Sequence, residues 1–356
     1  MRCNPYTSLP KNAFWKTGVA QETPYKVEGI YQKKFTIPPE ANIATAGSCF
    51  AQHISRHLKQ NGYNVLDVEP APRGLPESRH QKFGFSMYSA RYGNIYSVRQ
   101  LLQLSQEVVG DWSPQNYIWE KDGKFYDALR PAVEPEGLDS AEEVVEHRIF
   151  HIKNVKKLFQ EFDCLIFTLG LTEMWIHKES GTVYPTAPGT LAGVFDDELY
   201  QFENATFMSI LQDFEAFENT LLKIRKNKPF KILLTVSPVP LTATASGKHV
   251  LQSTCYSKAT LRSIAGHLSM HQENIDYFPS YEIVTNPKMR SNGFSDNLRS
   301  VKSETVEMVM KHFFAEHPTI ELKKEHTLES NLSEDIKEDI KEDIQCEEAL
   351  MEAFGK

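Results

Sequence analysis

Five short, mainly apolar runs are spaced along this chain with helical stretches between them. That alternation constrains the fold more than any other feature. The runs cover residues 42–46, 64–68, 164–168, 231–236 and 275–278. A strand that is apolar at every position, not every second one, is covered on both faces. The helical stretches have their own signals. Residues 50–60 place Ile54 and Leu58 on one face and stop at Asn61-Gly62, and Ser97 can N-cap a helix through Leu104. Ser140, followed by Glu142 and Glu143, opens a helix to about Phe162, and 207–225, 256–268 and 303–314 are helical by period. Strand–helix alternation of this kind predicts an α/β fold whose parallel sheet has helices on both faces, with right-handed crossovers.

In such sheets the working residues gather beyond the carboxyl ends of the strands. Three polar motifs stand there: Gly47-Ser48-Cys49, Gly170-Leu171-Thr172-Glu173 and Ser237-Pro238-Val239-Pro240. Ser48 directly follows a strand and precedes a helix. A hydroxyl there is exposed above the sheet edge, close to helix amides that can stabilise an oxyanion, and Gly47 permits the tight turn. Those are the mechanical needs of a serine nucleophile, and they equally suit a serine that only caps the helix. A long loop, residues 69–96, rich in Pro and Gly, follows the second run; loops of that length inside a domain are usually functional.

With 356 residues the chain has room for one large domain or about two. Residues 1–40 are Pro-rich and are expected to wrap over a body at 41–318, leaving 319–356 as an acidic tail, disordered or marginally helical. The tail carries a tandem repeat: Ser333-Glu334-Asp335-Ile336, Lys337-Glu338-Asp339-Ile340, Lys341-Glu342-Asp343-Ile344. Ten acids oppose three bases between Glu329 and Lys356, so −7 of the net charge of −8 belongs there and −1 to residues 1–328. No basic surplus exists to coat nucleic acid or an anionic membrane. No apolar run approaches the roughly 20 residues of a spanning helix, and the N-terminus reads without a signal peptide. The five cysteines, Cys3, Cys49, Cys164, Cys255 and Cys346, show no zinc spacing. A reducing, cytoplasmic setting is expected. No phosphate-cradling glycine motif occurs and no ligand set converges, so neither nucleotide cofactor nor metal is expected. The tail is a possible docking segment for a protein partner.

The words around Ser48 carry a family resemblance. Gly47-Ser48-Cys49-Phe50-Ala51 matches the signature of the GSCFA family. The resemblance continues through Asn4-Pro5-Tyr6, Tyr92-Gly93-Asn94-Ile95-Tyr96, Thr168-Leu169-Gly170-Leu171-Thr172-Glu173, Thr235-Val236-Ser237-Pro238, Tyr256-Ser257-Lys258 and Tyr277-Phe278-Pro279-Ser280-Tyr281-Glu282, from about residue 4 to 316. The family looks like a branch of the SGNH (GDSL-like) hydrolases. That resemblance implies a three-layer α/β/α sandwich, flavodoxin-like in build, and ester chemistry on an acylated carbohydrate or lipid. It makes Ser48 the nucleophile, Gly93 the glycine donating an oxyanion amide with Asn94 as a side-chain donor beside it, and Thr172 the residue standing where an asparagine would donate. One departure matters. The superfamily places Asp-x-x-His before the last helix, and here Asp296 is followed at the fourth position by Arg299, which cannot serve as a base near neutral pH.

A serine at its ordinary pKa needs a base. His249, after the fourth-strand loop, is the first candidate, with Asp296 as its partner acid; His53, His177 and His80 are others. Glu173 can orient a base, or pair structurally with Arg262 or Arg290. Cys49 is a second nucleophile candidate or a core residue. The aromatics of 277–281 can wall a sugar site or pack in the core. Two functions follow: a serine esterase or O-acyltransferase working through acyl-Ser48, or a binding or scaffolding protein on an inactivated hydrolase fold.

Overall fold

In the computed structural model, four of the five apolar runs lie side by side as parallel strands. The structure describes residues 4–23, 27–289, 292–317, 351 and 353–355. Along the chain come β1 (Ile43–Gly47), α1 (Phe50–Gln60), α2 (Val98–Val109), β2 (Ile118–Lys121), β3 (Lys124–Asp127), α3 (Ala141–Glu161) and β4 (Cys164–Leu169). Then follow β5 (Glu173–His177), β6 (Val183–Tyr184), β7 (Tyr200–Asn204), α4 (Phe207–Ile224), β8 (Lys231–Val236), α5 (Val250–His271), β9 (Ile275–Tyr277), α6 (Ser280–Thr285) and α7 (Ser303–Glu316).

The central sheet runs β1-β4-β8-β9, all parallel. Its side chains alternate between two cores. Ala44, Ala46, Leu165, Phe167, Ile232 and Leu234 face one way, against Leu101 of α2, Phe159 of α3, Phe214 of α4 and Leu261 of α5. Ile43, Ile166 and Leu233 face the other, against Ile54 of α1, Ile283 of α6 and Val309 of α7. The result is a three-layer α/β/α sandwich, as expected from strands buried on both faces.

The run at 64–68 behaves differently. Only Val65 bridges Ile43 at the edge of β1. Asp67 accepts the amide of Glu69 and turns the chain away. Ser89, from the loop beyond, takes over the edge: its hydroxyl accepts the Thr45 amide and its own amide donates to the Thr45 carbonyl. The edge is thus closed by a loop residue where a fifth strand was expected.

Residues 109–138 contain the β2–β3 hairpin, turned at Asp122-Gly123 with both residues at positive φ. Asp127 at its end is buried between Arg130 (2.8 Å) and Arg148 (3.0 Å), and Arg148 also pairs with Glu107 of α2. Burial alone would raise the Asp127 carboxyl, but Arg148 and Arg130 outweigh it and hold it at about 2. This buried network ties the hairpin to α2 and α3. A further antiparallel sheet, β6-β5-β7, grows directly from the end of β4.

Tyr31 and Ile37 of the N-terminal segment are buried on the α1/α7 side, with the Tyr31 hydroxyl 3.1 Å from Asp276 and 3.0 Å from His317. The acidic tail and its repeat lie outside the described residues, apart from 351 and 353–355. No helix among the described residues is long and apolar enough to cross a membrane.

Candidate active site

The three strand-end motifs come together because β1, β4 and β8 are neighbours and end level. Gly47 lies opposite Thr168, and Leu169 opposite Val236. Their outgoing turns enclose a narrow cleft lined by Ser48, Cys49, Tyr96, Gly170, Leu171, Ser237, Val239, Pro240, Leu241 and Lys258. It holds about 10 Å³ as seen here, roughly the room of one water.

Gly47 shows why the motif begins with glycine. Its φ is +138°, and an added Cβ would stand 2.5 Å from the Thr168 carbonyl oxygen. Ser48 follows and then Cys49 caps α1, so the positive end of an 11-residue helix adjoins the serine. Ser48 is 3% exposed. Its amide donates to Thr168 O at 3.2 Å, and its carbonyl accepts from Tyr88 Oη at 3.1 Å. Its hydroxyl has no hydrogen-bond partner among the described residues. The Ser55 and Thr168 hydroxyls share that condition but line no part of the cleft.

The expected oxyanion donors are placed differently. The Ser48 amide is taken by the Thr168 carbonyl. The Thr172 hydroxyl meets Asn204 Oδ1 of β7 at 2.6 Å, and its amide donates to Ser257 Oγ at 3.0 Å. Asn94 is buried, and its Oδ1 accepts from Tyr88 Oη and Gln52 Nε2. Gly93 is buried at a φ of +66°. Neither Gly93, Asn94 nor Thr172 lines the cleft; from that loop Tyr96 does, and its carbonyl accepts the amides of Gly170 and Leu171.

The histidines also lie elsewhere. His249 is exposed and caps α5, its Nδ1 accepting the Leu251 amide at 3.1 Å. Asp296 is exposed in the loop bridged by Phe294 and Val301. His177 sits on β5, bonded to Ser180 Oγ and Asn116 Nδ2. His80 meets Leu75 O. His53 packs on Phe50, and burial, then Arg56 and His57, push it down to about 4. None of them lines the cleft. Glu173 accepts from Thr244 Oγ1 at 2.6 Å, while Arg262 pairs with Glu282, and Arg290 lies outside the described residues. Phe278 is core, and the Tyr277 ring lies under Arg262 at 4.1 Å. Cys49 packs with Tyr96, Leu171 and Val239. No group of three His, Cys, Asp or Glu side chains among the described residues could hold a metal ion.

The cleft contains one residue whose part in the site spacing alone does not reveal. Lys258, on α5, is 3% exposed and donates to the Gly170 carbonyl at 2.7 Å. Residues 42–313 match the GSCFA family. The chain belongs to that family. No curated protein and no solved structure matches it. In this GSCFA protein the family's signature serine therefore sits at the junction of the sheet's edge strand β1 and the helix α1, in a hydrolase-like α/β domain.

Proposed function

We propose that this GSCFA protein is a serine-dependent esterase or O-acyltransferase that works on an acylated carbohydrate or a related ester. One observation carries the reading: Ser48, which lines a cleft at the strand ends, has a buried hydroxyl with no partner among the described residues. Leaving such a hydroxyl unsatisfied costs about 1–3 kcal/mol, and that cost makes sense where the oxygen's partner is a substrate. Ser48 Oγ bonds to the acyl carbon, the C–O bond to the alcohol breaks, and the alcohol leaves with a proton. Water then releases the acid, or an acceptor hydroxyl takes the acyl group. The helix end beside Ser48 favours the negative charge that develops on the carbonyl oxygen.

The test is labelling by a fluorophosphonate and turnover of p-nitrophenyl acetate. Wild type is expected to be labelled at Ser48 and to turn over the ester; Ser48→Ala should lose both while melting as wild type does. Equal turnover in Ser48→Ala, or a wild type unlabelled at Ser48, overturns the reading. The second of these outcomes favours a non-catalytic binding role, which the absence of a histidine from the cleft lining also supports.

A further inference from the structure

Ser48 needs a proton acceptor, and the residues that line its cleft offer few. The lining is Ser48, three further polar or sulfur-bearing side chains (Cys49, Tyr96, Ser237), apolar residues, Gly170 and Lys258. Lys258 is the one amine among them. It projects from the buried face of α5, in register with Leu261, Ala265 and Leu268, so helix packing drives it inward. Two contacts fix that face of the helix on the turn after β4. Ser257 Oγ accepts the Thr172 amide at 3.0 Å, and Lys258 Nζ donates to the Gly170 carbonyl at 2.7 Å. Gly170 in turn abuts the nucleophile: a Cβ built on it would lie 3.0 Å from Ser48 Cβ. The amine is therefore anchored on the same residue that presses against Ser48.

We propose that Lys258 is the general base and acid of this site, in place of the histidine that the chain lacks before its last helix. The proposal rests on the serine reading above. Lysine amines in dry sites act as bases because burial favours the uncharged form, and serine–lysine pairs are a recognised variant of the serine–histidine arrangement. In acylation the neutral amine takes the hydroxyl proton of Ser48 as Oγ bonds to the acyl carbon. The ammonium then gives that proton to the alkoxide oxygen as the C–O bond breaks. In deacylation the amine takes a proton from water as the water oxygen bonds to the acyl carbon. The Oγ–C bond breaks and Oγ recovers the proton, leaving the free acid and the starting enzyme. Catalytic hydrogen bonds are often loose before substrate arrives and tighten in the complex.

The test uses the full chain, p-nitrophenyl acetate, and two variants. Lys258→Met keeps the unbranched side chain out to Cε and removes the amine. It should melt like a folded protein and lose about 10²–10⁴-fold in turnover, the usual worth of a general base. Lys258→Ala leaves space for small primary amines added to the buffer. Those amines should restore turnover, and the acid limb of the restored rate should move with each amine's own pKa. A lysine that only filled space would be rescued without regard to basicity. Wild-type turnover and pH profile in Lys258→Met, or rescue independent of amine basicity, overturns the proposal. If Lys258→Ala fails to fold, Lys258→Met decides alone. Loss of turnover in Ser48→Ala with retention in Lys258→Met removes the lysine and leaves the serine reading standing. Retention in Ser48→Ala removes the serine reading itself.

Discussion

Gly170 offers the sharpest perturbation of the site, because its backbone is ordinary and its surroundings are not. A Cβ there would meet Ser48 Cβ at 3.0 Å, the Tyr96 carbonyl oxygen at 3.1 Å and Tyr96 Cα at 3.2 Å, all closer than the 3.4 Å where ordinary contact begins. Two of the three neighbours are backbone, and Tyr96 O is held by the amides of Gly170 and Leu171. The contact on Ser48 is with Cβ, which moves only with its backbone, so relief by a few tenths of an ångström displaces the serine as a whole. Overpacking of this kind costs about 1–3 kcal/mol, and the lost freedom of the unfolded chain returns about 0.4–1 kcal/mol, for a net cost between about 0 and about 2.6 kcal/mol. A misplacement of about 1 Å can cost 10²-fold in rate, so a few tenths should cost about tenfold. Gly170→Ala should thus stay folded and label with fluorophosphonate about tenfold more slowly. Gly47→Ala is the contrast. Its φ of +138° and its 2.5 Å approach to the Thr168 carbonyl oxygen place the damage between β1 and β4 themselves. That variant should show the larger melting loss. Wild-type labelling in a folded Gly170→Ala would refute the placement of Ser48 against Gly170.

Two further predictions concern the fold. Asp127→Ala leaves Arg130 and Arg148 buried without the carboxylate they share, which should cost about 3–5 kcal/mol in urea unfolding; a change below about 1 kcal/mol would show the network to be unimportant. His151 and His317 are 1% exposed, and burial, reinforced by Arg130 and by Lys33 respectively, lowers each from 6.5 to about 4. The unfolded chain then binds more protons than the folded one between those values. Stability is complete above about pH 6.5 and is lost as pH falls toward 4, by up to about 3 kcal/mol for each group. Melting temperatures that stay level from pH 7 to 4.5 would refute that assignment.

The central sheet was legible because its strands are apolar at successive positions and not only at alternate ones, a pattern that survives without knowledge of their partners. The run at 64–68 has the same local character, yet it makes a single bridge. What decides its fate is Ser89, more than twenty residues away, which occupies the hydrogen bonds of Thr45. The hairpin at 118–127 carried a usable signal in Asp122-Gly123, whose positive φ values are what such a turn requires. β5 carries less signal: Met174, Trp175 and Ile176 are all apolar, and only the fold leaves Trp175 half-buried between buried neighbours.

A parallel sheet brings its carboxyl ends to one edge whatever the loops do, so the strand-end motifs could be placed together from the sequence. Ser48, Gly170 and Ser237 all meet there. Side-chain directions could not be read the same way, because they depend on contacts that neither chain position nor the family resemblance contains. Thr172 stands in the expected turn, but Asn204 on β7 holds its hydroxyl; His249 follows the expected strand, but caps α5 from outside. Lys258 is the converse case. It sits three, seven and ten residues before Leu261, Ala265 and Leu268, a spacing that assigns a lysine to the buried stripe of a helix. An amine at a core position, on a helix that lands on the strand ends, is a physical anomaly of the kind that marks working sites. Its meaning depends on which strand end α5 meets, and that is settled by packing: the Ser257 and Lys258 contacts dock the helix on the turn that touches Ser48.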